Sequence, residues 1–187
     1  MKFGWLLVFA LGVAVVKPAS SQVSMYADFS ASKLTGGMGT TTTTFLYGPT
    51  IGLTAELAKK KFLDLSGDVR GGFYANGVRL NGVAVGPKLG FDIKQFQAYT
   101  EILVGFARYN DGAGNASTDA QTEVNFGLDL RGKGRLDWRL FEFGYEQYYG
   151  LGGEYNPKTF STGLVVHLGG NTHATAGTPK TGGKSKQ

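Results

Sequence analysis

Apolar and polar side chains alternate through residues 63–74 (LDLSGDVRGGFY). One parity carries Leu63, Leu65, Val69 and Phe73, and the other carries Asp64, Ser66, Asp68, Arg70 and Tyr74. A period of two indicates a β-strand whose two faces meet different surroundings. Two interpretations fit this pattern. Either the apolar face is buried and the charged face is in water, or the charged face is enclosed and the apolar face meets lipid.

The same alternation recurs along the chain, with turn residues between the segments, and predicts eight strands. The predicted strands are residues 23–33, 44–57, 62–74, 79–91, 96–109, 121–131, 136–149 and 158–168. Short charged turns, such as AKKK at 58–61, alternate with longer polar loops, such as NDGAGNASTDA at 110–120. Many of these strands reach the roughly 9 to 11 residues that cross a bilayer at a tilt. Long strands in even number, with short turns at one end and long loops at the other, are typical of a transmembrane β-barrel.

The first 21 residues have the pattern of a secretory signal peptide. Lys2 is followed by an apolar run of 14 residues and then by small residues, which predicts cleavage after Ser21. The run is shorter than the about 20 residues of a membrane-spanning helix. The predicted organisation is a signal peptide at 1–21, a barrel at 22–169 and a disordered basic tail at 170–187.

Composition excludes several classes of function. The chain has no cysteine, which excludes disulfides, thiolate metal sites and a lipidated N-terminal cysteine. The formal charge of +5 is accounted for by lysines in the predicted signal and tail, so the predicted barrel is neutral and nucleic acid is not expected as a partner. These lysines are Lys2, Lys17, Lys180, Lys184 and Lys186.

The distribution of glycine between the two faces of the predicted strands indicates which face is enclosed. Glycines such as Gly52, Gly72 and Gly127 share the parity of the charged residues, whereas the other parity is bulky. The interior of an eight-stranded barrel is only just wide enough for side chains, so small residues belong there. The inverted arrangement would cost about 2 to 4 kcal/mol for each Arg or Lys at the bilayer midplane. The predicted structural charge network of the lumen consists of Asp28, Glu56, Asp64, Asp68, Arg70, Lys88, Glu101, Glu123, Asp129, Arg131, Glu142 and Glu146.

Some positions depart from the regular pattern. Pro49 and Pro87 fall inside strands and predict bulges, and the apolar parity changes near Leu140 and Phe141, which predicts another. Three apolar residues are predicted to face inward: Leu46, Leu103 and Val165. Aromatic residues near the strand ends predict two interfacial bands. These are Phe62, Phe91, Phe96 and Trp138 near the short turns, and Tyr47, Phe73, Tyr109, Tyr148, Tyr149 and Phe160 near the long loops.

Four segments carry a resemblance to a known family: VAVGPKLGF, AYTEILVGFARY, LDWRLFEFGYEQYYGL and NPKTFSTGLVVHLGG. Over residues 23–169 the chain resembles small outer-membrane β-barrels of the OmpA and OmpX type, the "porin family" of acidobacteria and other Gram-negative-type bacteria. The resemblance implies an all-β, eight-stranded antiparallel up-and-down barrel in the cell outer membrane. Outer-membrane lipid, lipopolysaccharide and the barrel-insertion machinery are its implied partners, with a monomer favoured. The last strand resembles the assembly signal, at Ser161, Gly163, Val166 and Leu168.

Few residues offer chemistry. The two histidines are His167, predicted to face inward as a structural residue, and His173 in the tail. No catalytic residue, cofactor or metal is therefore predicted, and the expected role is structural or surface-interacting through long loops. Three alternatives remain: a narrow porin, a soluble secreted lipocalin-like binder, and a lipid-modifying enzyme. The loop at 110–120, with Asp111 and Asp119, lacks the ligand density of a calcium loop.

Overall fold

The computed structural model describes residues 22–35, 43–132, 134–149 and 156–168. They form eight strands: β1 (Val23–Thr35), β2 (Thr43–Lys60), β3 (Leu63–Asn76), β4 (Val78–Ile93), β5 (Phe96–Asn110), β6 (Ala116–Leu130), β7 (Leu136–Tyr149) and β8 (Lys158–His167). Each strand pairs antiparallel with the next, and β8 pairs with β1, so the sheet closes into an up-and-down barrel. The fold predicted from the alternation is confirmed. The predicted signal peptide at 1–21 and the predicted tail at 170–187 lie outside the described residues.

The outer surface of the barrel is apolar. Twenty-eight large apolar side chains are exposed among the described residues, including Val69 at 49% and Phe126 at 57%. Monomers in water rarely expose apolar patches larger than a few hundred Å². The bulky parity therefore faces lipid, and the charged parity faces the lumen. The described residues include no helix long and apolar enough to cross a membrane.

A bulge in β7 changes which side chains face inward. Leu128 pairs with Phe141 and Asp129 pairs with Arg139, so Leu140 is an extra residue on β7. Leu140 and Phe141 both lie outside as a result, while Arg139 is buried in the lumen. The bulge predicted at this position is confirmed. The predicted charge network omitted Arg139, because the parity on the N-terminal side of the bulge is opposite to that of Glu142.

The bulges predicted at Pro49 and Pro87 are wrong. The register is the same on both sides of each proline, and the pairing is interrupted without an added residue. Each proline follows a glycine that the neighbouring backbone approaches closely. A Cβ on Gly48 would lie 1.8 Å from the carbonyl oxygen of Phe73, and one on Gly86 would lie 2.0 Å from that of Ile102. The residue before each proline must therefore lack a side chain, because the carbonyl of the neighbouring strand occupies that space.

An unpredicted register shift occurs in β2. Glu56 pairs with Ser66 and Ala58 pairs with Leu65, so Leu57 is the extra residue. Lys59 then lies opposite Asp64, with its Nζ 3.8 Å from Asp64 Oδ2. The turn that follows is thus tied to the lumen by an ion pair.

Two of the short turns contain a lysine in the left-handed backbone region. The φ angles are 52° at Lys61 and 55° at Lys94, where a non-glycine residue costs about 1 to 2 kcal/mol. Lys61→Gly is therefore expected to raise the free energy of unfolding by about 1 kcal/mol, measured by urea titration in lipid vesicles. Lys60→Gly, at the end of β2, is the matched control and is expected to lower it by about 0.5 to 1 kcal/mol. If Lys61→Gly and Lys60→Gly changed the free energy of unfolding equally, the left-handed backbone at Lys61 would not be the cause of the effect.

Candidate functional site

Arg139 lies in the middle of the lumen and is fully buried. Its Nη1 donates to Asp28 Oδ2 at 2.8 Å and to Glu142 Oε2 at 3.2 Å. Its Nε donates to Asp129 Oδ1 at 3.1 Å. The three carboxylates come from β1, β7 and β6, so one guanidinium holds three strands of the barrel wall.

Arg70 joins the same network from β3. Its Nη1 donates to Glu123 Oε1 and to Glu142 Oε1, each at 2.9 Å. Its Nη2 donates to Glu142 Oε2 at 3.0 Å and also contacts Glu101. Glu142 thus accepts from both arginines. Because β3 and β7 are four strands apart in a ring of eight, this carboxylate connects opposite walls of the lumen.

Two tyrosine rings fill the space around Arg139. Its guanidinium carbon lies 4.4 Å from the ring centre of Tyr26 and 4.9 Å from that of Tyr99. A Cβ on Gly52 would lie 2.3 Å from the Tyr26 ring, and one on Gly127 would lie 2.2 Å from the Tyr99 ring. These lumenal glycines therefore provide the room that the rings occupy.

An apolar cluster closes the lumen at the long-loop end. Its buried members are Leu46, Tyr74, Leu80, Ala107 and Tyr148. The Tyr148 hydroxyl donates to Glu146, which also accepts from Thr159 at 2.9 Å. Tyr148 was predicted in the outer aromatic band, and this is wrong: it is only 6% exposed and lies inside. Tyr109 is half-buried and packs against the same cluster.

The short-turn end of the lumen is a polar mouth. Ser24 Oγ is hydrogen-bonded to His167 Nδ1 at 2.7 Å, and His167 Nε2 to Asp137 Oδ2 at 2.8 Å. Arg131 forms an ion pair with Asp92 beside them. The cavity in this mouth measures about 60 Å³, against about 10 Å³ for each of two cavities further along the lumen.

Ten of the twelve residues predicted for the lumen charge network are buried, and all ten face the lumen. Glu56 and Arg131 are half-buried and line the mouth. The prediction did not include Arg139, Asp137 or Asp92. Arg139 and Asp137 precede the β7 bulge, and the prediction did not carry the inward parity across that bulge. Asp92 was assigned to the turn between the fourth and fifth predicted strands. The buried members are Asp28, Asp64, Asp68, Arg70, Lys88, Glu101, Glu123, Asp129, Glu142 and Glu146.

The residues of the predicted assembly signal lie at the end of the barrel wall. Ser161, Gly163 and Val166 belong to β8, and Leu168 follows it. Ser161 is buried in the lumen, whereas Leu168 is 51% exposed. His173 lies outside the described residues.

The loop between β5 and β6 is organised by Asp111. Its Oδ1 accepts from the amides of Ala113 at 2.8 Å and Asn115 at 3.1 Å, and its Oδ2 accepts from Asn115 Nδ2 at 2.7 Å. These hydrogen bonds, the side-chain bond from Asn115 first among them, lower the pKa of Asp111. The carboxylate is thus engaged within its own loop. Across the described ranges, no group of three or more His, Asp or Glu side chains is arranged to hold a metal ion.

Comparison with known proteins identifies the architecture. Neisserial surface protein A is similar with a TM-score of 0.53 and 18% identity, over 77% of this chain and 96% of that chain. Ail, the attachment invasion locus protein of Yersinia pestis, is similar with a TM-score of 0.47 and 12% identity, over 78% of this chain and 97% of that chain. The outer membrane enzyme PagL is similar with a TM-score of 0.46 and 15% identity, over 74% of this chain and 98% of that chain. No protein-family model matches the chain, and no curated protein matches its sequence. The chain has the fold of the small eight-stranded outer-membrane β-barrels.

Proposed function

We propose that this protein is a plugged β-barrel of the cell outer membrane, without enzymatic activity, whose role is structural or depends on contacts made by its extracellular loops. The observation that carries this proposal is the ion-pair network of Arg70 and Arg139, which crosses the lumen through Glu142. Both guanidiniums are almost completely buried. Buried charges of this kind hold their positions because separating them is costly.

The narrow porin is the first alternative, and the packing of the lumen argues against it. A cavity needs about 10 to 15 Å³ to hold one water molecule. The two cavities of about 10 Å³ near the apolar cluster are therefore of single-water size. A conducting path for hydrated ions would require both the arginine network and the Leu46 and Leu80 side chains to move.

Planar-bilayer recording tests the plug. The purified wild-type protein is expected to give no stable conductance steps, because side chains fill the lumen between the mouth and the long-loop end. The same sample is first run on a denaturing gel with and without boiling, and a difference in mobility establishes that the barrel is folded. Reproducible steps from a sample that passes this control would overturn the plugged-barrel proposal in favour of the porin.

A lipid-modifying enzyme is the second alternative, and the hydrogen bonds that join Ser24, His167 and Asp137 are the observation in its favour. A Ser, a His and an Asp in series can activate a hydroxyl nucleophile. Ser24 and His167, however, are direct partners in the β1–β8 ladder, so the contact joins the first and last strands of the barrel. The cavity beside them, about 60 Å³, is far below the roughly 300 to 1,000 Å³ of ligand pockets. We therefore assign His167 a structural role at the barrel closure.

The lipocalin-like binder, the remaining alternative, requires an apolar interior and a wettable outside. The described residues have the opposite distribution, with Arg139 inside and Phe126 outside. Our proposal accordingly keeps outer-membrane lipid and lipopolysaccharide as the surroundings of the barrel. It also assigns the last strand, through Ser161, Gly163, Val166 and Leu168, to recognition by the barrel-insertion machinery. A monomer is the expected state, since the barrel wall closes on itself.

A further inference from the structure

Two lysines lie side by side on the outer surface of the barrel at the long-loop end. Lys33 of β1 and Lys158 of β8 are direct partners and form the last pair of that ladder. Both side chains are exposed. Opposite residues on neighbouring strands have Cβ atoms about 4.5 to 5.5 Å apart, and like charges in this position destabilise a sheet. Within the described part of the chain, neither ammonium has an ion-pair partner.

Aromatic side chains flank this pair on the adjoining strands. Lys33 is opposite Phe45 of β2, and Lys158 is opposite Tyr145 of β7. Phe45 is 48% exposed and Tyr145 is 41% exposed. The four residues form a continuous outward row, Phe45, Lys33, Lys158 and Tyr145, which we call the lysine row.

The lysine row lies at the edge of the band of exposed apolar side chains that covers the outside of the barrel, which we call the apolar belt. Two residues further into the membrane on the same face, Phe160 is 51% exposed and Phe143 is 48% exposed. Aromatic residues of membrane proteins concentrate at the level of the lipid headgroups. The two ammonium groups therefore lie at headgroup depth, next to hydrocarbon, rather than on a loop in open water.

We propose that the lysine row binds the phosphate group of an anionic lipid in the leaflet at the long-loop end. Two adjacent positive charges match a phosphate, whose negative charge removes the repulsion between them, while the flanking rings contact the upper part of the acyl chains. The lipid source is favoured over a free anion because the row borders the apolar belt. This inference rests on the proposed function, since it requires the barrel to lie in a membrane.

Native mass spectrometry of the detergent-solubilised full-length protein, titrated with phosphatidic acid, measures the apparent dissociation constant. Lys33→Gln and Lys158→Gln are each expected to weaken binding about fivefold, because one basic residue near a charged lipid surface contributes about 1 kcal/mol. Phosphatidylcholine is the reference lipid and is expected to bind wild type and variants equally.

Arg79→Gln and Arg108→Gln are the matched controls. Both arginines are exposed near the long-loop end and are diagonal neighbours across the β4–β5 ladder, about 7 to 8 Å apart, whereas Lys33 and Lys158 are direct partners. These variants are expected to leave the dissociation constant unchanged. Equal weakening by lysine and arginine variants would overturn the proposal, because it would indicate general charge attraction. Displacement of the lipid by millimolar inorganic phosphate would overturn it in favour of a free-anion site.

A stability measurement separates lipid binding from a structural role. In detergent without anionic lipid, Lys33→Gln is expected to unfold at the same or a higher urea concentration than wild type, because it removes like-charge repulsion. With phosphatidic acid present, the order is expected to reverse. Lower stability of the variant under both conditions would overturn the proposal. Failure of the conductance test would disprove the plug and leave this result unaffected, so the two outcomes are distinguishable.

Discussion

Arg139→Met is expected to lower the free energy of unfolding by about 3 to 5 kcal/mol. The change removes the cation that Asp28, Asp129 and Glu142 share, and methionine keeps much of the apolar volume. Three carboxylates then remain in the lumen with one fewer positive charge among them. Urea unfolding in lipid vesicles, followed by tryptophan fluorescence, measures the loss.

Arg135→Met is the matched control. Arg135 lies one residue before β7 and its side chain is exposed, so its replacement is expected to change stability by no more than about 0.5 kcal/mol. Arg139→Lys retains the charge but not the planar fork that reaches several carboxylates, and an intermediate loss is expected. If Arg139→Met lowered the free energy of unfolding no more than Arg135→Met, the ion-pair network would contribute little to the stability of the barrel.

Val69→Arg is expected to lower stability in a bilayer by about 2 to 4 kcal/mol. Val69 lies in the middle of β3, faces outward and is 49% exposed. If Val69 faced water, Val69→Arg would leave the free energy of unfolding nearly unchanged. At the bilayer midplane, by contrast, the arginine must be desolvated, which is costly. The measurement is the free energy of unfolding in vesicles.

Ala116→Arg provides the comparison at the edge of the barrel. Ala116 is the first residue of β6, next to the loop, and it is also exposed. Near the interface the cost of an arginine falls to about 0 to 1 kcal/mol. Equal, near-zero effects at Val69 and Ala116 would contradict a lipid-facing outer surface, and with it the outer-membrane assignment.

The energetics of this barrel are divided between its two faces. The outside contributes through contact of apolar side chains with lipid, as at Val69 and Phe126. The inside is filled by a polar network in which Tyr99 donates to Glu142 at 2.6 Å and Tyr26 donates to Asp68 at 2.8 Å. A barrel of this size has no separate hydrophobic core, apart from the cluster at the long-loop end. Mutations in the lumen are therefore expected to act through lost ion pairs and hydrogen bonds.

The existence of the strands and the choice of inner face were determined by the sequence alone. The alternation at 63–74 indicates a strand without reference to any neighbour, because side-chain direction in a strand has a period of two. Glycines at Gly52 and Gly127 indicate the crowded side, since their lack of a side chain serves the Tyr26 and Tyr99 rings. These are local properties, readable residue by residue.

The tertiary structure alone decided which residue is inserted at each break in the alternation and which charges meet. Leu140 is an extra residue because of how β7 pairs with β6, and that pairing turns Arg139 inward. Pro49 and Pro87 add no residue, since the register of the neighbouring strand is the same on both sides of each proline. Side chains alternate inward and outward along a strand until a bulge adds an extra residue. Which residue is extra depends on the pairing with the neighbouring strand. The central guanidinium of the lumen therefore became visible only in the closed barrel.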